Sequence, residues 1–228
     1  MNRDELLIGL GGNLGDVAGT LRGAVRLLGA TPGWRVVAKS GLYRTRPVGV
    51  ADRLFLNAAV LIRRAGDETP VLATLKRIER ELGRTPSDRW DNRVADLDVL
   101  LSRSPIREEG LSVPHPLLHL RPFALEPAAE VAADAAHPAF GRTVASLAEH
   151  WGRRPVRVCS DVVIDRREAV ETVSQGAEFD VLLTDGPADA SAWPPQVDLR
   201  SVPIADPVAA ASAVLDGLLD RPVRVGGL

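Results

Sequence analysis

The order of apolar runs in this 228-residue chain predicts an α+β fold: an antiparallel sheet with helices packed on one face, followed by a small α/β unit. Three observations carry that prediction. Up to Leu101, runs with the two-residue period of a strand and runs with the spacing of a helix follow one another as strand, helix, strand, strand, helix, strand. The breaks between them fall at Pro and Gly. Beyond Gly152 the grammar changes, and strands and helices alternate singly, as parallel strands require. The first order is the ferredoxin-like, split βαβ plan.

Each element has its own signal. Glu5 to Leu10 reads as a strand that ends at Gly11-Gly12-Asn13. Asp16 is placed to cap a helix whose apolar positions are Val17, Leu21, Val25 and Leu28. Pro32-Gly33 breaks the chain before a strand from Trp34 to Leu42. A Pro/Gly loop, Thr45-Arg46-Pro47-Val48-Gly49, leads to the next strand, Leu54 to Ile62. Thr69-Pro70 reads as a cap followed by Pro in the first helical position. Val71, Leu72, Leu75, Ile78 and Leu82 form the stripe of that helix, and Gly83 stops it. A polar loop from Arg84 to Arg93 precedes a strand from Ala95 to Leu101. A segment with Pro114, Pro116, Pro122 and Pro127 follows, then a closing helix from Thr143 to His150. The expected division is residues 1–151 and 152–228. In the second part, Val156 to Ile164 and Phe179 to Thr184 read as strands, and Arg167 to Ser174 as a helix. Asp206-Pro207 opens a helix through Leu219, and Val223 to Val225 reads as a last short strand.

Composition narrows the function classes. The formal net charge is −2, so no global field favours nucleic acid or a membrane surface. Cys159 is the single cysteine, which excludes an internal disulfide and argues against a Cys-based zinc site. With no long apolar stretch at Met1-Asn2-Arg3-Asp4-Glu5, a cytoplasmic protein is the expectation.

Asp96 and Asp98 lie two apart on a strand, so both carboxylates share one face while Leu97, Val99 and Leu101 point to the other. Paired carboxylates repel unless a cation lies between them, and hard oxygen ligands suit Mg²⁺. A solvated strand face that happens to carry two acids is the competing reading. Arg84, Arg89 and Arg93 just before the acids, and Arg121 after them, favour the first, because a triphosphate needs its charge neutralised. Surface ion pairs among Arg77, Glu79, Arg80, Glu81 and Arg84 are the bland alternative for the helix residues. Gly11-Gly12 permits close approach of a ligand to the backbone, but no Gly-Lys-Ser/Thr follows, so the turn is not a Walker motif. His115 stands in Val113-Pro114-His115-Pro116, either to bond a phosphate or as an ordinary loop histidine. Asn57, within an apolar strand, needs a partner for its amide, whether a heterocycle edge or the backbone. Trp90 and Phe123 are candidates to sandwich a flat ring, with core packing as the default.

Taken together, residues 5 to 150 resemble the hydroxymethyl-dihydropterin pyrophosphokinases of the folate pathway. The matching pieces are Gly9 to Asp16, Leu42 to Gly49, Phe55 to Ala58, Ile78 to Arg84, Arg93 to Asp98 and Val113 to Pro116, with Arg121 and Phe123. The resemblance implies transfer of pyrophosphate from ATP, the co-substrate, to the hydroxymethyl group of 6-hydroxymethyl-7,8-dihydropterin. It implies that Asp96 and Asp98 hold two Mg²⁺ ions, and that Arg84, Arg93, His115 and Arg121 bind the triphosphate, with Glu79 near the nucleotide. It also implies a pterin pocket lined by Thr45, Pro47, Asn57 and Phe123, with Phe55 and Trp90 packing near the ring.

Two departures stand out. Arg84 is followed by Thr85-Pro86, where the family often has Arg-x-Arg, and Asp91-Asn92-Arg93 replaces Gly-Pro-Arg. They leave open a diverged relative that acts on another pterin-like alcohol, or a non-catalytic nucleotide- or pterin-binding module. Small molecules are the expected partners, with the 152–228 extension as a surface for self-association or a protein partner. Asp161, Asp165 and Asp185 lie on or just after its expected strands and admit a second ligand site, against an acidic loop in a packing module.

Overall fold

β1 (Glu5–Gly12) lies at the heart of the first sheet because its sequence supplies apolar side chains to both sides. Leu6, Ile8 and Leu10 enter one core, and Leu7 enters another. A computed structural model of the chain describes residues 1–47, 52–66, 69–85, 92–104, 106, 108–152, 156–160, 170–172, 181–184, 196–198, 211, 214–217 and 219–228. The first unit continues with α1 (Val17–Ala30), β2 (Trp34–Lys39), β3 (Gly41–Thr45), β4 (Phe55–Arg64), α2 (Val71–Glu81) and β5 (Asp96–Ser102). β4 and β5 flank β1, both antiparallel to it, and β2 and β3 pair with successive stretches of β4. The ferredoxin-like arrangement expected from the element order is what the strands form.

The expected single strand from Trp34 to Leu42 is broken at Ser40. Its Oγ donates to the Gly41 carbonyl at 2.7 Å and accepts from the Ala59 N–H at 2.9 Å, so a side chain takes over a ladder bond and the chain re-enters as β3. Asp16 caps α1 as expected, accepting from the Gly19 N–H at 3.0 Å. Thr69 does not cap α2. Pro70 occupies that position without a side-chain bond, and the Glu108 carboxylate accepts instead from Val71 N–H (2.7 Å) and Leu72 N–H (2.8 Å).

Helices cover both faces, not one. α1 and α2 seal the face carrying Leu6, Ile8, Leu97 and Val99. On the opposite face lie α3 (Pro122–Ala132) and α4 (Val144–Gly152). α3 falls in the segment read as merely Pro-rich: Pro122 starts the helix, and Pro127 lies inside it. Trp151 of α4 donates its indole N–H to the His119 carbonyl and packs with Leu118, Leu125 and Leu147.

Beyond α4, β6 (Val156–Ser160), β7 (Val170–Thr172), β8 (Val181–Thr184) and β9 (Gln196–Asp198) form a parallel sheet in the order β7-β6-β8-β9. The expected helix from Arg167 to Ser174 is overturned by β7, whose β-branched Val170 and Thr172 suit a strand. Asp161, Asp165 and Asp185 lie outside the described residues. The last strand, β10 (Val223–Gly227), leaves this sheet and pairs antiparallel with β3. Ala211, Val214 and Leu215 are buried in the same core as α3 and α4.

Candidate active site

The alternation of β5 splits its side chains as the spacing of the acids requires. Leu97 and Val99 are fully buried under α1 and α2, while Asp96 and Asp98 are half-buried on the other face. Register then sets what lies beside them. Asp96 is opposite Gly11, which is opposite Asn57, which is opposite Tyr43. In the next row, Asp98, Gly9 and Ala59 align in the same way. Small residues thus form a floor between the acids and Asn57, two strands or about 10 Å apart. A Cβ on Gly11 would lie 3.0 Å from Asn57 Oδ1, so any larger residue in that floor would push the Asn57 side chain aside. Asn57 Nδ2 donates to Thr45 Oγ1 at 2.9 Å, so two of the expected pocket residues are joined. Phe55 pairs with Thr45 across the strands.

Around the acids the charges alternate. Asp96 accepts from Arg84 Nη1 at 2.6 Å on one oxygen and from Arg93 Nη1 at 2.8 Å on the other. Arg84 Nη1 also meets Glu79 Oε1 at 2.5 Å, and Lys76 Nζ lies 2.9 Å from Glu79 Oε2. Glu79 is 1% exposed and accepts from the Leu97 N–H at 2.8 Å, so α2 satisfies a donor of β5, which ends the path of paired strands. The bland reading holds for Arg77 and Glu81, an exposed pair one helical turn apart, and fails for Glu79 and Arg84.

These environments set the protonation states. Burial acts to raise the Asp96 pKa, but Arg93 and Arg84 outweigh it and hold the carboxyl below its ordinary range. Burial and the adjacent Asp96 push Asp98 up to about 6. Burial and Arg121 push His115 down to about 3. His115 Nδ1 accepts the Leu117 N–H at 3.1 Å, so the neutral ring carries its proton on Nε2. That nitrogen faces Arg121 Nη1 at 3.1 Å. An anion beside this pair could accept from both. Arg121 also lies 5.6 Å from the centre of the Phe123 ring, a cation–π distance. Phe123 packs at the margin of the α3–α4 core.

Thus Glu79, Arg84, Arg93, Asp96 and Asp98 come together, with His115 and Arg121 near enough to act on the acids' charge. Thr45, Phe55 and Asn57 gather at the other end of the floor, and Pro47 follows Thr45 by two residues. Trp90, Arg89, Asp91 and Pro86 lie outside the described residues. Two residues take roles that the sequence did not assign to them. Asn13 holds the backbone of Arg93 from both sides, its N–H donating to Arg93 O at 2.9 Å and its Oδ1 accepting from Arg93 N–H at 2.7 Å. Lys76 looks like any solvated helix lysine until Glu79 is seen beside it.

The sequence profile of the 7,8-dihydro-6-hydroxymethylpterin-pyrophosphokinase (HPPK) family matches residues 7–133. This chain belongs to that family. Among HPPK relatives, the 2-amino-4-hydroxy-6-hydroxymethyldihydropteridine pyrophosphokinase of Methylorubrum extorquens is 46% identical over 129 residues, 56% of this chain and 82% of that one. The Bacillus subtilis enzyme of the same name is 45% identical over 126 residues, 54% of this chain and 75% of the relative. A crystal structure of an HPPK-DHPS in complex with substrates shares the fold, with a TM-score of 0.51 at 13% identity; the match covers 66% of this chain and 44% of that longer one. Among the described residues, no helix is long and apolar enough to cross a membrane.

Proposed function

We infer that the chain transfers pyrophosphate from ATP to the hydroxymethyl oxygen of 6-hydroxymethyl-7,8-dihydropterin, giving AMP and the pterin pyrophosphate in folate biosynthesis. The observation that carries this reading is the glycine floor, with Asn57 and Thr45 at one end and a buried acid–arginine network at the other. A flat heterocycle with a hydroxymethyl arm and a polyphosphate can meet over such a floor. Asn57 and Thr45 offer hydrogen bonds to the polar edge of the pterin, and Phe55, Phe123 and Trp90 offer apolar surface to its ring. Arg84, Arg93 and Arg121 bind and neutralise the phosphates, and neutral His115 donates a hydrogen bond to them. The alcohol oxygen forms a bond to the β-phosphorus, the bridging bond to the α-phosphate breaks, AMP leaves, and the hydroxyl proton is released.

Asp96 and Asp98 are the residues that would hold Mg²⁺, two ions in our reading. Their chemistry fits. They are hard oxygen donors with excess negative charge, seen in Asp98 being driven up to about 6 by burial and by Asp96. Among the described residues no group of three or more His, Cys, Asp or Glu side chains gathers as a metal cage, so the other ligand positions fall to phosphate oxygens and water. Bound Mg²⁺ supplies orientation of the triphosphate and neutralisation of charge in the transition state.

Incubation with ATP, Mg²⁺ and the pterin alcohol should yield AMP and pterin pyrophosphate in equal amounts. No AMP above a control lacking pterin would refute the assignment. Asp98→Asn should lose turnover while keeping the fold.

A further inference from the structure

The segment after the parallel sheet returns to the first sheet beside the expected pterin pocket. Asp220 Oδ2 accepts a hydrogen bond from the backbone N–H of Arg46 at 2.8 Å. Arg46 lies between Thr45 and Pro47, the two pocket residues at the end of β3. We propose that Asp220 is a positioning residue for pterin binding, which fixes the peptide between Thr45 and Pro47; this rests on the pterin reading of the site.

Asp220 is flanked by packed, hydrogen-bonded structure on both sides. Before it, residues 214–217 are helical, and the Asp220 N–H bonds to the Asp216 carbonyl at 3.1 Å. Val214 and Leu215 of that turn are buried against the α3–α4 core. After it, β10 pairs with β3 from Val223↔Arg44 to Gly227↔Gly41. Glu130 of α3 clamps the pair, accepting from Tyr43 Oη and Gly41 N at 2.6 Å each and from Arg224 Nε at 2.8 Å. Arg22 Nη2 holds the Gly227 carbonyl at 3.1 Å, and Leu228 enters the core on the other face. A carboxylate fixed this firmly can hold a loop, whereas one on a free tail cannot. The position is transmitted over one peptide: Thr45 Oγ1 is the acceptor for Asn57 Nδ2, so movement at Arg46 disturbs the pair that faces the heterocycle.

A purely structural staple would be expected to affect stability and both substrates alike. The full-length chain carrying Asp220→Asn, with Asp220→Glu as the conservative control, separates the cases. Asp220→Asn should raise the pterin KM about fivefold, the scale of exchanging a charge-assisted hydrogen bond for a neutral one. The ATP KM and the melting midpoint should hold, amide exchange at Arg46 should quicken, and Asp220→Glu should recover most of the pterin KM. An unchanged pterin KM, or pterin and ATP KM rising together, overturns the inference. If the parent chain fails to turn over pterin, the functional reading falls by itself. Arg46 exchange then decides alone: faster exchange in Asp220→Asn supports the anchoring role, and parental exchange refutes it.

Discussion

The two faces of β5 are built from alternate residues of one strand, yet they obey different rules. Leu97 and Val99 enter a dry core under α1 and α2, where any polar atom would need a partner. Asp96 and Asp98 are one residue away and carry the negative charge that the core forbids. The sealed face contributes stability, and the open face gives it up: the acids repel, Asp98 is driven up to about 6, and glycines stand where larger side chains would pack. A strand tolerates this division because its pleat keeps the two sets apart. Glu79 is the exception that links them, reaching from α2 to the Leu97 N–H and to Arg84.

The sharpest way to break the comparison is to empty each face in turn. Asp96→Ala removes an acceptor that Arg84 and Arg93 share. Turnover should fall about 10³-fold, the scale for losing a group that organises charge in the transition state. Leu97→Ala leaves a cavity in the buried core and should cost about 3 kcal/mol of stability. Because the backbone N–H of residue 97 survives to meet Glu79, activity per folded molecule should change little. Urea unfolding and AMP release, measured on both variants, would refute the division if Asp96→Ala proved the less stable or Leu97→Ala the less active per folded molecule.

A second contrast sets the open face against the β3–β10 edge, where charge is spent on structure. Burial and the hydrogen bond to Glu130 push Tyr43 up to about 12. The folded state therefore holds the phenolic proton more tightly than the unfolded chain, whose tyrosine titrates near 10. This contribution to stability is fully present below pH about 10 and is lost as pH rises towards about 12, by roughly 2 kcal/mol. Tyr43→Phe should flatten that alkaline limb in chemical-denaturation curves. An equally steep limb in the variant would place the titration elsewhere.

Much of this was legible in the sequence, because pattern and chemistry coincide there. The strand and helix periods of the first unit marked Leu21, Leu28, Leu75, Ile78 and Leu97 as core, and the two-residue spacing put Asp96 and Asp98 on one face. What escaped depends on contacts distant in sequence or on residues that serve two roles. Pro127 inside α3 contradicts helix propensity and is tolerated because the helix is packed. Ser40 looks neutral until its hydroxyl replaces a ladder bond. The return of β10 to β3 is a pairing of residues some 180 apart (Val223 with Arg44), which no local signal records. Asn13 stands where a turn residue is expected, and only the fold shows that its partner is Arg93.

The smallest predicted effect tests a cap that sequence reasoning assigned to the wrong residue. The first N–H groups of a helix lack intrahelical partners, and a nearby carboxylate both accepts from them and opposes the helix dipole. Thr69 has the right chemistry, but Pro70 holds the cap position, and Glu108, from beyond β5, takes the Val71 and Leu72 donors with its two oxygens. Glu108→Ala should therefore lower stability by about 1 kcal/mol, and Thr69→Ala by at most a few tenths. Neither should alter turnover per folded molecule, because the end of α2 that joins the Asp96–Arg84 network is the far one, where Glu79 lies. Equal losses in the two variants would return the cap to Thr69. A loss of turnover in Glu108→Ala at unchanged stability would mean that the start of α2 acts on the open face as well, and the separation of the two faces would no longer hold along that helix.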